Sequence, residues 1–400
     1  MLLILSLTIL LFSCQTSPQN QQIVEQEYSY RIELPEQDYD CNLLDYFPWR
    51  GDLTFEQSPL NEIDYAIFAQ ISYNNFNGIV NGDTLDINHS EQKKLCQVAK
   101  EFEESADFET RKYNGPLINE NTSTLLKLAS LSNRFSQVKL CAFVDELDEK
   151  KGMQFSAYTA ILDDKTAIIT YRGTYTEIVG WQEDFDMAYK FPVLAQTRAV
   201  EYLEEVSSFL PHNIILLGHS KGGNLAMYAG AYCKDSVKKR IVKICNLDGQ
   251  GFSKEIIGNK NFASINQKLV TFLPQASVVG MLFYRNGDTV MVESNEKDIL
   301  YQHDMFSWKI LGNKFVRANT RSEKSIKIEK EMKELLDGME NSELEKFVKG
   351  VFGIFDIAEA KTLQDFQNNW IKKSGDILTY MNTLDKQTKD NLWKLIKILT

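Results

Sequence analysis

An apolar run, Ile214-Ile215-Leu216-Leu217, leads into Gly218-His219-Ser220-Lys221-Gly222, and an Ala-rich segment, Asn224 to Cys233, follows. A G-x-S-x-G string arises by chance in roughly one chain in ten of this length, so the five residues alone are a weak signal. Their flanks strengthen it. A serine between a buried strand and a helix sits on a sharp turn that lifts its Oγ to the carboxyl edge of a sheet. Side chains at Gly218 and Gly222 would collide across so tight a crossing, and the helix N-terminus after Ser220 brings partial positive charge to the hydroxyl. The segment therefore demands an α/β sheet, and it makes Ser220 the candidate nucleophile.

The rest of the chain supplies such a sheet. Gly152–Leu162 and Thr166–Tyr171 are β-rich runs around a polar turn and read as a hairpin. Thr197–Leu210 has helical apolar spacing, and Ile241–Cys245, Lys268–Leu273 and Val278–Tyr284 read as strands. Asn286-Gly287 signals a hairpin turn into a further strand, Thr289–Glu293. Short apolar strands alternating with helices predict an α/β fold with a mainly parallel central sheet and helices on both faces. Residues 321–400 differ: rich in Lys, Glu and Leu, they space Leu335, Met339, Leu344, Phe347, Val348 and Val351 helically. We expect an α/β domain over residues 42–320 and a helical C-terminal subdomain over 321–400, its apolar stripe packed on the main domain.

The N-terminus reads as a targeting segment. Residues 2–12 are apolar except for Ser6 and Thr8, and Cys14 and a polar stretch follow. About eleven residues at ~1.5 Å each cannot cross a ~30 Å hydrocarbon core, but they match the apolar region of a secretory signal. Leu11-Phe12-Ser13-Cys14 resembles a bacterial lipobox. That resemblance implies a signal peptide over residues 1–13, acylation of Cys14, a polar tether over 14–41 and an extracytoplasmic, membrane-tethered protein. The alternatives are an uncleaved anchor or a mis-called start codon, and a cytoplasmic protein. A net charge of −11 argues against a nucleic-acid partner, which would need clustered Lys and Arg. The five other cysteines show no motif spacing, so neither a disulfide framework nor a metal site is indicated.

A serine at neutral pH needs a base. Of four histidines, His89 lies in a polar loop, and His212 follows Pro211 at the sheet edge opposite the nucleophile. His219 adjoins Ser220, but successive side chains on such a turn point in different directions, so it reads as a buried structural residue. Only His303 follows Ser220 in the chain, as the Ser…Asp/Glu…His order of α/β-hydrolases requires. The acid that orients it is expected at Asp248, 28 residues after the serine and directly behind the strand Ile241–Cys245. Asp288, beside the Asn-Gly turn, is the second candidate. Oxyanion donors are expected from the backbone N–H of Lys221 and from Thr174, through its N–H and hydroxyl, in the turn after Ile168–Tyr171. Residues 175–191, rich in aromatics, admit two readings: a flap over the site, or a buried helix that fixes the oxyanion loop.

Tyr171-Arg172-Gly173-Thr174 followed by Trp181-Gln182-Glu183-Asp184 resembles the R-G-[ST]…W-x-x-D segment of class 3 lipases, whose Ser or Thr contributes to the oxyanion hole. Asn246-Leu247-Asp248-Gly249 is similar to the strand end that carries the acid in pancreatic-type lipases. More closely, Trp49-Arg50-Gly51-Asp52-Leu53-Thr54-Phe55, GHSKGGNLA, DGQGF, LPQASVVGML and Gln302-His303-Asp304 with Trp308 resemble, in order, the bacterial Mbeg1-like group of the α/β-hydrolase superfamily. The resemblance implies a serine hydrolase without naming its substrate. The resulting expectation is a carboxylic-ester hydrolase, lipase- or esterase-like, acting on a small-molecule ester or lipid. It would need no cofactor and would meet the membrane through its N-terminal lipid. A thioesterase or acyltransferase with the same triad, and a non-catalytic binding module on this fold, are the alternatives.

Overall fold

The computed structural model describes residues 41–82, 92–112, 118–163 and 165–399. Cys14, the signal peptide, most of the tether and His89 lie outside the described residues. The centre is one eight-stranded sheet whose strands lie in space in their chain order. They are β1 (Lys93–Lys94), β2 (Lys139–Asp148), β3 (Met153–Ile161), β4 (Thr166–Tyr171), β5 (Asn213–His219), β6 (Ile241–Leu247), β7 (Leu269–Pro274) and β8 (Asp288–Val292). β1 to β4 pair antiparallel, and β4 to β8 pair parallel. The hairpin read at Gly152–Tyr171 is β3–β4.

Both faces of the sheet are covered, which is why β5 is a continuous apolar run rather than an alternating one. Ile215 and Leu217 pack into one core with α1 (Glu62–Ile71), α2 (Leu95–Glu103) and α3 (Thr122–Leu131). Ile214 and Leu216 pack into the other, with α5 (Leu194–Phe209) and α6 (Lys221–Tyr232). Between β4 and α5 runs α4 (Ile178–Asp186). A third core joins α4 to the C-terminal helices α7 (Glu323–Asp337), α8 (Asn341–Ile357), α9 (Leu363–Asn369), α10 (Ser374–Thr383) and α11 (Lys386–Leu399). Its stripe includes Leu335, Met339, Leu344, Phe347, Val348 and Val351, packed with Ile178 of α4 and with Ala276 and Ile299 from loops of the α/β part.

One expectation fails. Val278–Tyr284 is not a strand, and Asn286-Gly287 does not close a hairpin. β7 and β8 are parallel, so the chain between them must cross back, and a two-residue turn cannot do that. The backbone of this segment bonds instead to the loop after β6: Gly251 N donates to Leu282 O at 2.9 Å, and Phe252 and Tyr284 exchange bonds of 2.8 and 2.9 Å. Val278 and Leu282 spend their apolar surface on the third core. The Asn-Gly pair still turns the chain, with Gly287 at φ +80° entering β8.

Trp49–Phe55 also finds a structural use. Arg134 and Asp64, both fully buried, form an ion pair of 2.5 Å. Arg134 also donates to the carbonyls of Leu53 (3.1 Å), Thr54 (3.3 Å) and Ser58 (2.9 Å), with its guanidinium 4.2 Å from the centre of the Phe55 ring. The block is the end of a short helix, Tyr46–Arg50, and the loop that follows it against a buried arginine.

Candidate active site

Five consecutive parallel strands each deliver one element at their carboxyl ends, the edge where open α/β sheets carry their sites. β4 leads into Arg172-Gly173-Thr174, β5 into Ser220, β6 into Asp248, β7 into Ser277, and β8 into the loop carrying His303.

Ser220 caps α6 at φ +57°, ψ −133°, a conformation that non-glycine residues rarely adopt and that costs on the order of 1–3 kcal/mol. The surrounding glycines make the turn possible. A Cβ on Gly218 would run into the backbone of Gly222, and one on Gly222 into the Tyr171 carbonyl. A Cβ on Gly173 would collide with the Tyr73 hydroxyl and the His219 carbonyl and would lie 3.1 Å from the Cβ of Ser220. The loop after β4 thus lies directly against the elbow.

His303 Nδ1 is 2.7 Å from Asp248 Oδ2. Asp248 is fully buried, and its other oxygen accepts from the Ser277 hydroxyl, which in turn accepts from Gly280 N at 2.9 Å. Burial raises the Asp248 carboxyl above its ordinary value, while the bonds from His303 and Ser277 pull it down. A carboxylate on Nδ1 leaves Nε2 as the working nitrogen of the imidazole. Asp288, the second candidate, is an exposed residue opening β8, with no part in this arrangement.

His219 serves the neighbouring backbone. Its Nε2 donates to the His303 carbonyl at 2.8 Å, so its Nδ1 accepts from the Tyr73 hydroxyl at 2.8 Å. Burial, with the nearby His303, holds its pKa well below the usual histidine range and keeps it neutral. The residues around His303 are pinned as well. Gln302 accepts from Ala276 N at 2.9 Å, Trp308 Nε1 donates to the Gln302 carbonyl at 2.8 Å, and Asp304 accepts from Asn119 at 2.6 Å.

On the oxyanion side, the Thr174 hydroxyl donates to Asp184 of α4. This differs from the expectation that the hydroxyl is free for substrate, and it leaves the Thr174 N–H as the group to offer. Asp184 also accepts from Gln250 Nε2 at 3.3 Å, and burial pushes its carboxyl up to about 6. Lys221, next to Ser220, buries its side chain completely: Nζ is 2.5 Å from Glu183 and 3.1 Å from the Gln154 carbonyl. Within residues 175–191, Ile178–Asp186 form α4, which packs on the C-terminal helices. Ile178 N donates to Lys361 O at 2.8 Å, Leu363 N to Thr176 O at 3.1 Å, and Phe185 meets Phe352 edge-on at 5.3 Å.

Sequence reasoning did not find Tyr73, Ser277 or the role of Glu183. Tyr73 comes from far upstream, and no spacing ties it to the elbow. Ser277 stands in the LPQASVVGML block, just before the segment that reads as a strand, and no local signal ties it to Asp248. Glu183 is an unassigned position of W-x-x-D. Among the described residues, no cluster of His, Cys, Asp and Glu could hold a metal ion.

A family model described as Mbeg1-like matches residues 129–353, a span containing Thr174, Ser220, Lys221, Asp248 and His303. No curated protein matches the chain. Among solved structures, the crystal structure of a mutant form of MDLA, Penicillium cyclopium, is similar at 10% identity. That similarity covers 65% of this chain and 86% of the other, with a TM-score of 0.36.

Proposed function

This chain belongs to the Mbeg1-like family, matched over more than half its length, and from that premise we propose that it is a lipase-like serine hydrolase that cleaves carboxylic esters. Ser220 Oγ attacks the ester carbonyl while His303 Nε2 takes its proton. Asp248 holds the imidazole through Nδ1 and stabilises the cation that forms. The N–H groups of Lys221 and Thr174 receive the oxyanion. His303 then returns the proton to the departing alcohol, and the acyl-enzyme is opened by water activated in the same way. The observation that carries this reading is the strained backbone of Ser220, at φ +57° where a helix begins, on the same sheet edge as the His303–Asp248 bond. Strain of this kind persists where the surrounding structure enforces it, and such places cluster at active sites.

Labelling with a fluorophosphonate, followed by peptide mapping, tests the reading. The expected result is one modified peptide carrying Ser220, with hydrolysis of p-nitrophenyl esters lost on labelling. No labelling and no turnover of short or long acyl chains would sink it in favour of a non-catalytic binding module.

The proposal extends to location. An acylated Cys14 would tether the enzyme at an extracytoplasmic membrane face, beside lipid esters. The lipobox-like residues before Cys14 support this, and no helix among the described residues is long and apolar enough to cross a membrane. Cys14→Ser should release the protein from membrane fractions. Unchanged fractionation, with an unmodified Met1 found by mass spectrometry, would make the protein cytoplasmic.

A further inference from the structure

Two adjacent residues of α4, Glu183 and Asp184, hold the side chains of the two residues whose N–H groups are assigned above to the oxyanion. Asp184 takes the Thr174 hydroxyl. Glu183 takes Lys221, and the pair is 99% buried on both sides, with Nζ–Oε2 2.5 Å. The remaining capacity of Glu183 is filled by backbone: Oε1 accepts from Ala195 N at 2.8 Å and Oε2 from Gln154 N at 3.1 Å. Lys221 adds a bond to Gln154 O at 3.1 Å. The carboxylate is therefore tied to β3, to the first turn of α5 and to the residue after the nucleophile. A buried pair is a poor device for stability, because desolvating both ions offsets most of their attraction. A lysine buried this completely beside Ser220 calls for another reason.

We propose that the Lys221–Glu183 pair is a positioning element that sets the Lys221 N–H in register with Thr174, so that Glu183-Asp184 brackets both oxyanion donors. The inference rests on the serine-hydrolase reading and adds residues with no contact to the substrate. Lys221 acts here through its own backbone. Because the oxyanion forms only in the transition state, loss of register should lower kcat and leave KM nearly unchanged.

The test is the uncharged double variant Lys221→Met with Glu183→Gln, which avoids stranding either charge. The expected result is a folded protein whose kcat falls about tenfold to a hundredfold, the size of a donor misplaced by about 1 Å. KM should hold, and affinity for an alkyl boronic acid, which forms a tetrahedral adduct on Ser220, should fall by the same factor. A folded double variant with wild-type kcat and boronate affinity would overturn the proposal. If the double variant does not fold, Glu183→Gln alone is read in the same assays against the same criteria. Failure of both to fold would assign the pair to the fold instead and would equally overturn it. A wild-type protein that no fluorophosphonate labels would instead remove the hydrolase reading, so the two failures are distinguishable.

Discussion

The carboxyl edge of the sheet and the C-terminal helices spend their residues in opposite ways. At the edge, Ser220 and Asp248 hold positive φ angles of 57° and 51°, and a carboxylate, an ion pair and a neutral histidine are buried there. In the helices, charged pairs lie mostly at the surface, the half-buried Glu329 with Arg321 and Lys333 being the exception. Lys327–Glu331, Lys330–Glu334 and Lys349–Glu345 are exposed pairs one helical turn apart, while the apolar stripe packs inward on α4 and its loops. The edge carries strain and desolvation that nothing in local propensity favours. The helices follow propensity and amphipathic packing. The contrast teaches where the molecule was shaped for folding and where it was shaped for something else.

The largest test of the contrast is Ser220→Gly. It should remove ester hydrolysis almost completely, by on the order of 10⁶ in kcat, and yet stabilise the fold by about 1 kcal/mol through release of backbone strain. Activity assays and denaturant unfolding read the two effects. A destabilised variant would mean that the elbow is not strained. Next, Asp248→Asn should cost on the order of 10⁴ in kcat by leaving His303 in the wrong tautomer, while Asp288→Asn costs little. The reverse pattern in steady-state kinetics would move the acid to β8.

A smaller effect should appear in pH. The Asp184 carboxyl is pushed up to about 6, chiefly by burial, from an ordinary 3.8. Between those values the folded chain holds a proton that the unfolded chain has released, so stability falls as pH rises through the window and stays lowered above it. Thermal unfolding from pH 4 to 7 should show the wild type losing Tm relative to Asp184→Asn as pH rises. Parallel curves would mean that the Asp184 carboxyl is not raised in the folded chain. The smallest effect belongs to the helices: Lys349→Ala, breaking an exposed pair with Glu345, should change stability by less than about 0.5 kcal/mol in urea unfolding. A loss above about 1 kcal/mol would make the helical surface as demanding as the edge.

Much of this was legible in the chain. The elbow announces itself because two glycines, a strand and a helix must coincide within a few residues, and each leaves a local mark. Asp248 and His303 follow from chain order and from the position of a strand end. The hairpin expected at Asn286-Gly287 did not form, because a turn dipeptide specifies a turn and not the partner of the strand that follows. Register between β7 and β8 was decided by what Leu282 and Tyr284 could bond to, which is a loop more than thirty residues earlier in the chain.

The sequence by itself determined the α/β class, the turn at Ser220 and the order of the candidate triad, since periodicity, glycine sterics and chain order are local or one-dimensional properties. The tertiary structure alone decided that Tyr73 holds His219, that Ser277 holds Asp248, and that Glu183 faces Lys221 across the elbow. These pairs join residues 146, 29 and 38 positions apart, and no spacing rule reaches them. They exist because polar atoms closed away from water must find partners wherever the packed chain brings them.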